Sequence, residues 1–138
     1  MTMNTITHEP GIQSLHDQVV NLVAQRWAKS LHCRITINTG SEKNRWAGSD
    51  RSYPDIVGWK PNLGRHTLEL IAEVATEESI AGAEVYRRWQ DYAALGVPFY
   101  LFVPKGYRAK AQQLAARAGV ALNGIYEYAF VNGTLQLL

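Results

Sequence analysis

The chain has 138 residues, long enough for one domain with a single core, and an apolar fraction of 46% with four Trp excludes a disordered, solvating segment. A net charge of +2 is too mild to demand a nucleic-acid or membrane partner by itself. The single Cys33 excludes a disulfide framework and a Cys-based zinc site, and no apolar run approaches the ~20 residues of a membrane span, so no membrane partner and a cytoplasmic setting are expected.

Met1 to Pro10 is polar and reads as a flexible start to a single domain over residues 1–138. Ile12, Leu15, Val19, Leu22, Val23 and Trp27 recur at helical spacing, which predicts an amphipathic helix from about Gly11 to Leu31. Asp17 falls on its wet side and His16 at the boundary. Cys33 to Thr39 alternates apolar and polar residues and predicts a strand. Gly40 to Ser52 is a long polar loop carrying Lys43, Arg45, Trp46 and Arg51. Cations beside an aromatic are suited to phosphate contact and base stacking, so these four are the candidate nucleic-acid contacts.

Two apolar runs then flank Lys60-Pro61-Asn62-Leu63-Gly64-Arg65, the pattern of a β-hairpin. With Gly64 near its fold, Asp55 and Glu73 are equidistant from the turn, and antiparallel pairing sets them opposite each other with Cβ atoms roughly 5 Å apart. Two such carboxylates repel, and a divalent cation between them removes the repulsion. Leu68, Leu70, Ala72 and Val74 are expected on one face of the second strand, and Glu69, Ile71, Glu73 and Ala75 on the other. Glu69 competes with Glu73 for the metal role, but the two are roughly 13 Å apart along a strand, and the register favours Glu73.

Thr76 reads as an N-cap with Glu77 and Glu78 in the first turn, opening a helix to about Leu95 that Gly96 stops. Phe99 to Val103 is a continuous apolar strand, as expected where both faces are covered. Tyr107 to Ala118 predicts a helix ended by Gly119. Val120 to Leu122 and Ile125 to Val131 read as short strands, and Asn132-Gly133 as a hairpin turn with Thr134 to Leu138 returning. The apolar end of that hairpin is a candidate for the core or for a homodimer contact. The whole is α/β: a central mixed sheet flanked by helices, in the order αβββαβαβ plus a C-terminal hairpin.

Pro54-Asp55, a spacer, and then Glu73-x-Ala75 in an apolar strand resemble the PD-(D/E)XK nuclease superfamily. The likeness extends through Trp89 to Gly96 and Phe99 to Pro104, in the manner of a group of small bacterial members. The resemblance implies a restriction-endonuclease-like core and Mg²⁺- or Mn²⁺-dependent phosphodiester cleavage of DNA. It makes Asp55 and Glu73 the metal-holding acids and the Val74 carbonyl, ahead of that of Ile56, a further ligand; many members also use an acid on the first helix, here Asp17, for which a solvated face is the preferred reading. The family's lysine position is Ala75. A basic residue on the following helix substitutes for that lysine in some members, which makes Arg87, Arg88 and Gln90 the local candidates. A non-catalytic nucleic-acid-binding or regulatory module that keeps the fold, and a protein-interaction subunit using the C-terminal hairpin edge, are the alternatives.

Overall fold

A computed structural model describes residues 14–39 and 53–138. The elements follow the order α1 (Leu15–Ser30), β1 (Arg34–Ile37), β2 (Ile56–Asn62), β3 (Arg65–Val74), α2 (Glu77–Ala81), α3 (Glu84–Ala93), β4 (Phe99–Pro104), α4 (Arg108–Ala118), β5 (Gly124–Val131) and β6 (Thr134–Leu137). The six strands form one mixed sheet in sequential order, β1 to β6. Antiparallel pairs stand at both ends, and the parallel pairs β3–β4 and β4–β5 stand at the centre. A parallel pair needs a crossover, and α2–α3 and α4 supply the two.

Helices cover both sheet faces. On one, Val19, Val20 and Val23 of α1 pack on Ile56, Ala72, Val74, Phe102 and Tyr128. On the other, Ile80, Val85, Trp89, Ala111 and Leu114 of α2, α3 and α4 pack on Val57, Ile71, Leu101, Val103 and Ile125. Strand β4 serves both cores in alternation, which is why its sequence shows no polar face. In the C-terminal hairpin, Leu135 and Leu137 pack against the α1-side core, while Phe130, Val131 and Leu138 are exposed.

The β2–β3 hairpin turns at Leu63-Gly64, both at positive φ (52° and 81°). Next to the turn the register runs Asn62 opposite Arg65 to Trp59 opposite Leu68, and then Gly58 stands opposite Leu70. Glu69 is the extra residue of a β-bulge. The bulge overturns one expectation: Leu68 packs with the α2–α4 core rather than sharing a face with Ala72 and Val74. Gly58 lies where it must, since a Cβ there would stand 3.0 Å from the Leu70 side chain and 3.2 Å from Cys33 Sγ.

Two further expectations are corrected. The helix expected from Thr76 to Leu95 is two helices, because Gly82 adopts extended backbone (φ −84°, ψ 151°) and caps α2. Val120 to Leu122 is not a strand: the Val120 amide closes on the Ala115 carbonyl, and β5 begins at Gly124 once the Asn123 amide has bonded to Phe99 O.

Candidate functional site

The site lies at the C-terminal end of β3, where an open parallel sheet characteristically leaves a crevice. The bulge sets its geometry. Ile56 stands opposite Ala72, so one residue further out Asp55 faces Glu73. Without the extra residue Asp55 would have faced Ala72. Both acids are buried, at 7% and 6% exposure. The Val74 amide donates to Asp55 Oδ2 at 2.8 Å, and the Asp55 amide reaches Glu73 Oε1 at 3.4 Å. Asn38 anchors the approach to β2: its side chain donates to Pro54 O at 2.8 Å and its amide to Asp55 O at 2.9 Å.

Two cationic side chains meet the two acids from opposite faces of the sheet. His16, in the first turn of α1, places Nε2 3.0 Å from Asp55 Oδ2 and Nδ1 3.0 Å from Asp17 Oδ1. Arg88 on α3 brings Nε to 3.4 Å from Glu73 Oε2. That is ion-pair distance outside hydrogen-bond geometry, and the buried Nε has no hydrogen-bond partner among the described residues. Trp89 Nε1 on the same helix is likewise buried and unpartnered among them. Helix α2 enters through a capping box, Thr76 with Ser79, as the Thr76 N-cap predicts. The Tyr92 hydroxyl donates to Tyr53 O at 3.3 Å.

The electrostatics follow from burial. Glu73 is held well above the usual carboxylate range by loss of solvent, then by the charge of Asp55 and a hydrogen bond to it, and Arg88 only partly offsets this. Burial pulls the His16 imidazole down, but its bonds to Asp55 and Asp17 outweigh that and bring it up to about 9. Tyr92 is raised by burial and by the Glu73 and Asp55 charges.

A cavity of about 940 Å³ opens over these groups, its wall including His16, Asp17, Asp55, Glu73, Ala75 and Arg88. Val74 and Ala75 line it as well, and the Ala75 carbonyl is held by the Tyr128 hydroxyl at 2.8 Å. The structure therefore brings together Asp55, Glu73, Val74 and Arg88. It does not bring in Arg87, which is exposed on α3 away from this cavity, or Gln90, whose side chain donates to Ala118 O at the end of α4. Glu69 stays in the bulge and does not line the cavity. Lys43, Arg45, Trp46 and Arg51 lie outside the described residues. Asp17 and His16, expected on a solvated face and at a boundary, are instead part of the site. The available signal was their position just after the Ser14 N-cap, where a first-helix turn can lean over a sheet end.

The donor set decides what ion suits it. Among the described residues no three His, Cys, Asp or Glu side chains form a metal-holding group. Asp55 and Glu73 nevertheless offer hard carboxylate oxygens side by side, with burial and then the Asp55 charge holding the Glu73 carboxyl well above the usual range. Mg²⁺ is commonly held by one or two carboxylates, with waters and substrate phosphate completing its shell, so these residues fit an ion of that kind. A scan against protein-family models, a search of curated proteins and a search of solved structures found no match to this chain.

Proposed function

We propose that the chain is a PD-(D/E)XK-type phosphodiesterase acting on DNA, with Mg²⁺ or Mn²⁺ held by Asp55, Glu73 and the Val74 carbonyl. The observation that carries the reading is the bulge-set opposition of two buried acids beneath a cavity that also holds Arg88. A bound ion would acidify a water and offset charge on the phosphate. A cation between the acids would oppose the Asp55 charge that, after burial, holds Glu73 above the usual carboxylate range. Arg88 takes the part of the lysine that Ala75 replaces, its guanidinium turning from Glu73 to the phosphate oxygens. Its Nε is buried at ion-pair distance from Glu73 and makes no hydrogen bond among the described residues, so the turn breaks no hydrogen bond of that atom.

A second reading is a non-catalytic nucleic-acid-binding or regulatory module. Ala75 at the lysine position favours it, as does the pairing of both acids with His16 and Arg88. Metal-dependent melting and plasmid nicking separate the two. A ligand that binds only the native state stabilises it by about 2.7 kcal/mol at a hundred times its Kd. Mg²⁺ or Mn²⁺ raises the Tm of the wild type, and less so in Asp55→Ala and Glu73→Ala. Equal shifts in all three proteins dispose of the metal site; a metal shift without nicking selects the non-catalytic reading.

A further inference from the structure

We infer that the His16 imidazole is a built-in competitor that occupies Asp55 against divalent-ion entry and so sets the ion affinity of the site; this rests on the two-carboxylate reading above. Both imidazole nitrogens face carboxylate oxygens at 3.0 Å, Asp17 on one side and Asp55 on the other. An imidazole bridging two carboxylates in this way engages the Asp55 oxygen that an ion would need. It sits on Oδ2, the oxygen that also takes the Val74 amide. The amide belongs to the end of β3 and is fixed. The imidazole is on a side chain with rotatable bonds, so it is the partner an incoming ion displaces.

Its position makes displacement easy. His16 lies two residues after the Ser14 N-cap, in the first turn of α1. Asp17 and Asp55 hold its ring, and the partial positive charge of the helix N-terminus adds no stabilisation to an imidazolium there. When an ion takes Asp55, His16 keeps Asp17 and can swing toward the cavity it already lines. Arg88 makes the weaker closure on Glu73, since its contact lacks hydrogen-bond geometry.

Calorimetric titration of Mg²⁺ and Mn²⁺ into the full chain at fixed pH and salt tests this, with wild type, His16→Ala, His16→Gln and Asp55→Ala compared. Both neutral replacements are expected to bind tighter than wild type, by about tenfold, since a competitor on Asp55 lowers the fraction of protein competent to take the ion. Asp55→Ala is expected to lose binding. Using two replacements covers the case in which one fails to fold. Equal or weaker binding in His16→Ala and His16→Gln, with wild type still binding through Asp55, overturns the inference and leaves the metal site standing. Absence of binding in every protein overturns both.

Discussion

Under the proposed function, Ala75 is the residue on which the chemistry would turn. It is 2% exposed, shares a strand face with Glu73 and lines the same cavity. A lysine there would project toward the acids, where its ammonium finds the carboxylate partners that a buried charge requires. Ala75→Lys is expected to create or increase Mg²⁺- or Mn²⁺-dependent nicking of a plasmid, and adding Asp55→Ala must abolish it. A folded, metal-binding and DNA-binding Ala75→Lys that never nicks would defeat the nuclease reading. His16 gives a pH signature. Its folded value of about 9 lies above its ordinary 6.5, so its contribution to stability is complete below pH 6.5 and is lost as pH rises through 9. Denaturant melts across that window should show wild-type stability falling with pH more steeply than that of His16→Gln. Parallel curves would mean that the His16 pairs contribute nothing.

The β2–β3 hairpin is the element that builds the site, and its turn is not optimal. Leu63 is 98% exposed and has φ 52°, a left-handed conformation that a leucine side chain disfavours. The C-terminal hairpin makes the same kind of turn with Asn132 (φ 52°) and Gly133 (φ 81°), where Asn tolerates the conformation. Leu63→Asn is therefore expected to stabilise the protein by about 1 kcal/mol. Urea melts read this directly, and an unchanged or lower midpoint would show that the turn carries no strain. Leu63→Asn keeps the two-residue turn and leaves the bulge untouched, so Asp55 and Glu73 remain opposed in this variant.

At the scale of the molecule, the charge at the site is what a polyanion would meet. Asp17, Asp55, Glu73, Glu77 and Glu78 line the cavity against His16 and Arg88. DNA binding under the proposed function therefore needs cations from elsewhere, and Lys43, Arg45 and Arg51 are the ones the sequence sets immediately before Asp55. Each phosphate contact releases counterions, with a log–log salt slope near −0.9 per phosphate on duplex DNA. Replacing Arg45 and Arg51 together is expected to weaken binding and flatten that slope. Failure to detect DNA binding even at low salt would move the protein-interaction reading ahead, and the exposed Phe130, Val131 and Leu138 of the C-terminal hairpin would be the surface to examine.

Local chemistry made much of this legible without coordinates. Helical periodicity placed α1, the Thr76 cap placed α2, Asn132-Gly133 placed the last hairpin, and an all-apolar run marked β4 as buried on both faces. Counting outward from Gly64 also paired Asp55 with Glu73. That pairing holds because the turn lies half a residue earlier and the Glu69 bulge restores the difference, and a bulge has no reliable signature in a strand of mixed residues. The same bulge moved Leu68 to the other face, which strict alternation cannot foresee. Gly82 broke a helix whose periodicity ran through it, since the cost of glycine is decided by how the neighbouring turns pack. Arg88 rather than Arg87 or Gln90 reached the acids because helix rotation against the sheet is set by the burial of Val85, Trp89 and Tyr92. His16 and Asp17 joined the site because α1 crosses the opposite face with its N-terminus at the same sheet end. Spacing along a chain fixes what shares an element's face; which elements meet is settled only when both sheet faces are packed.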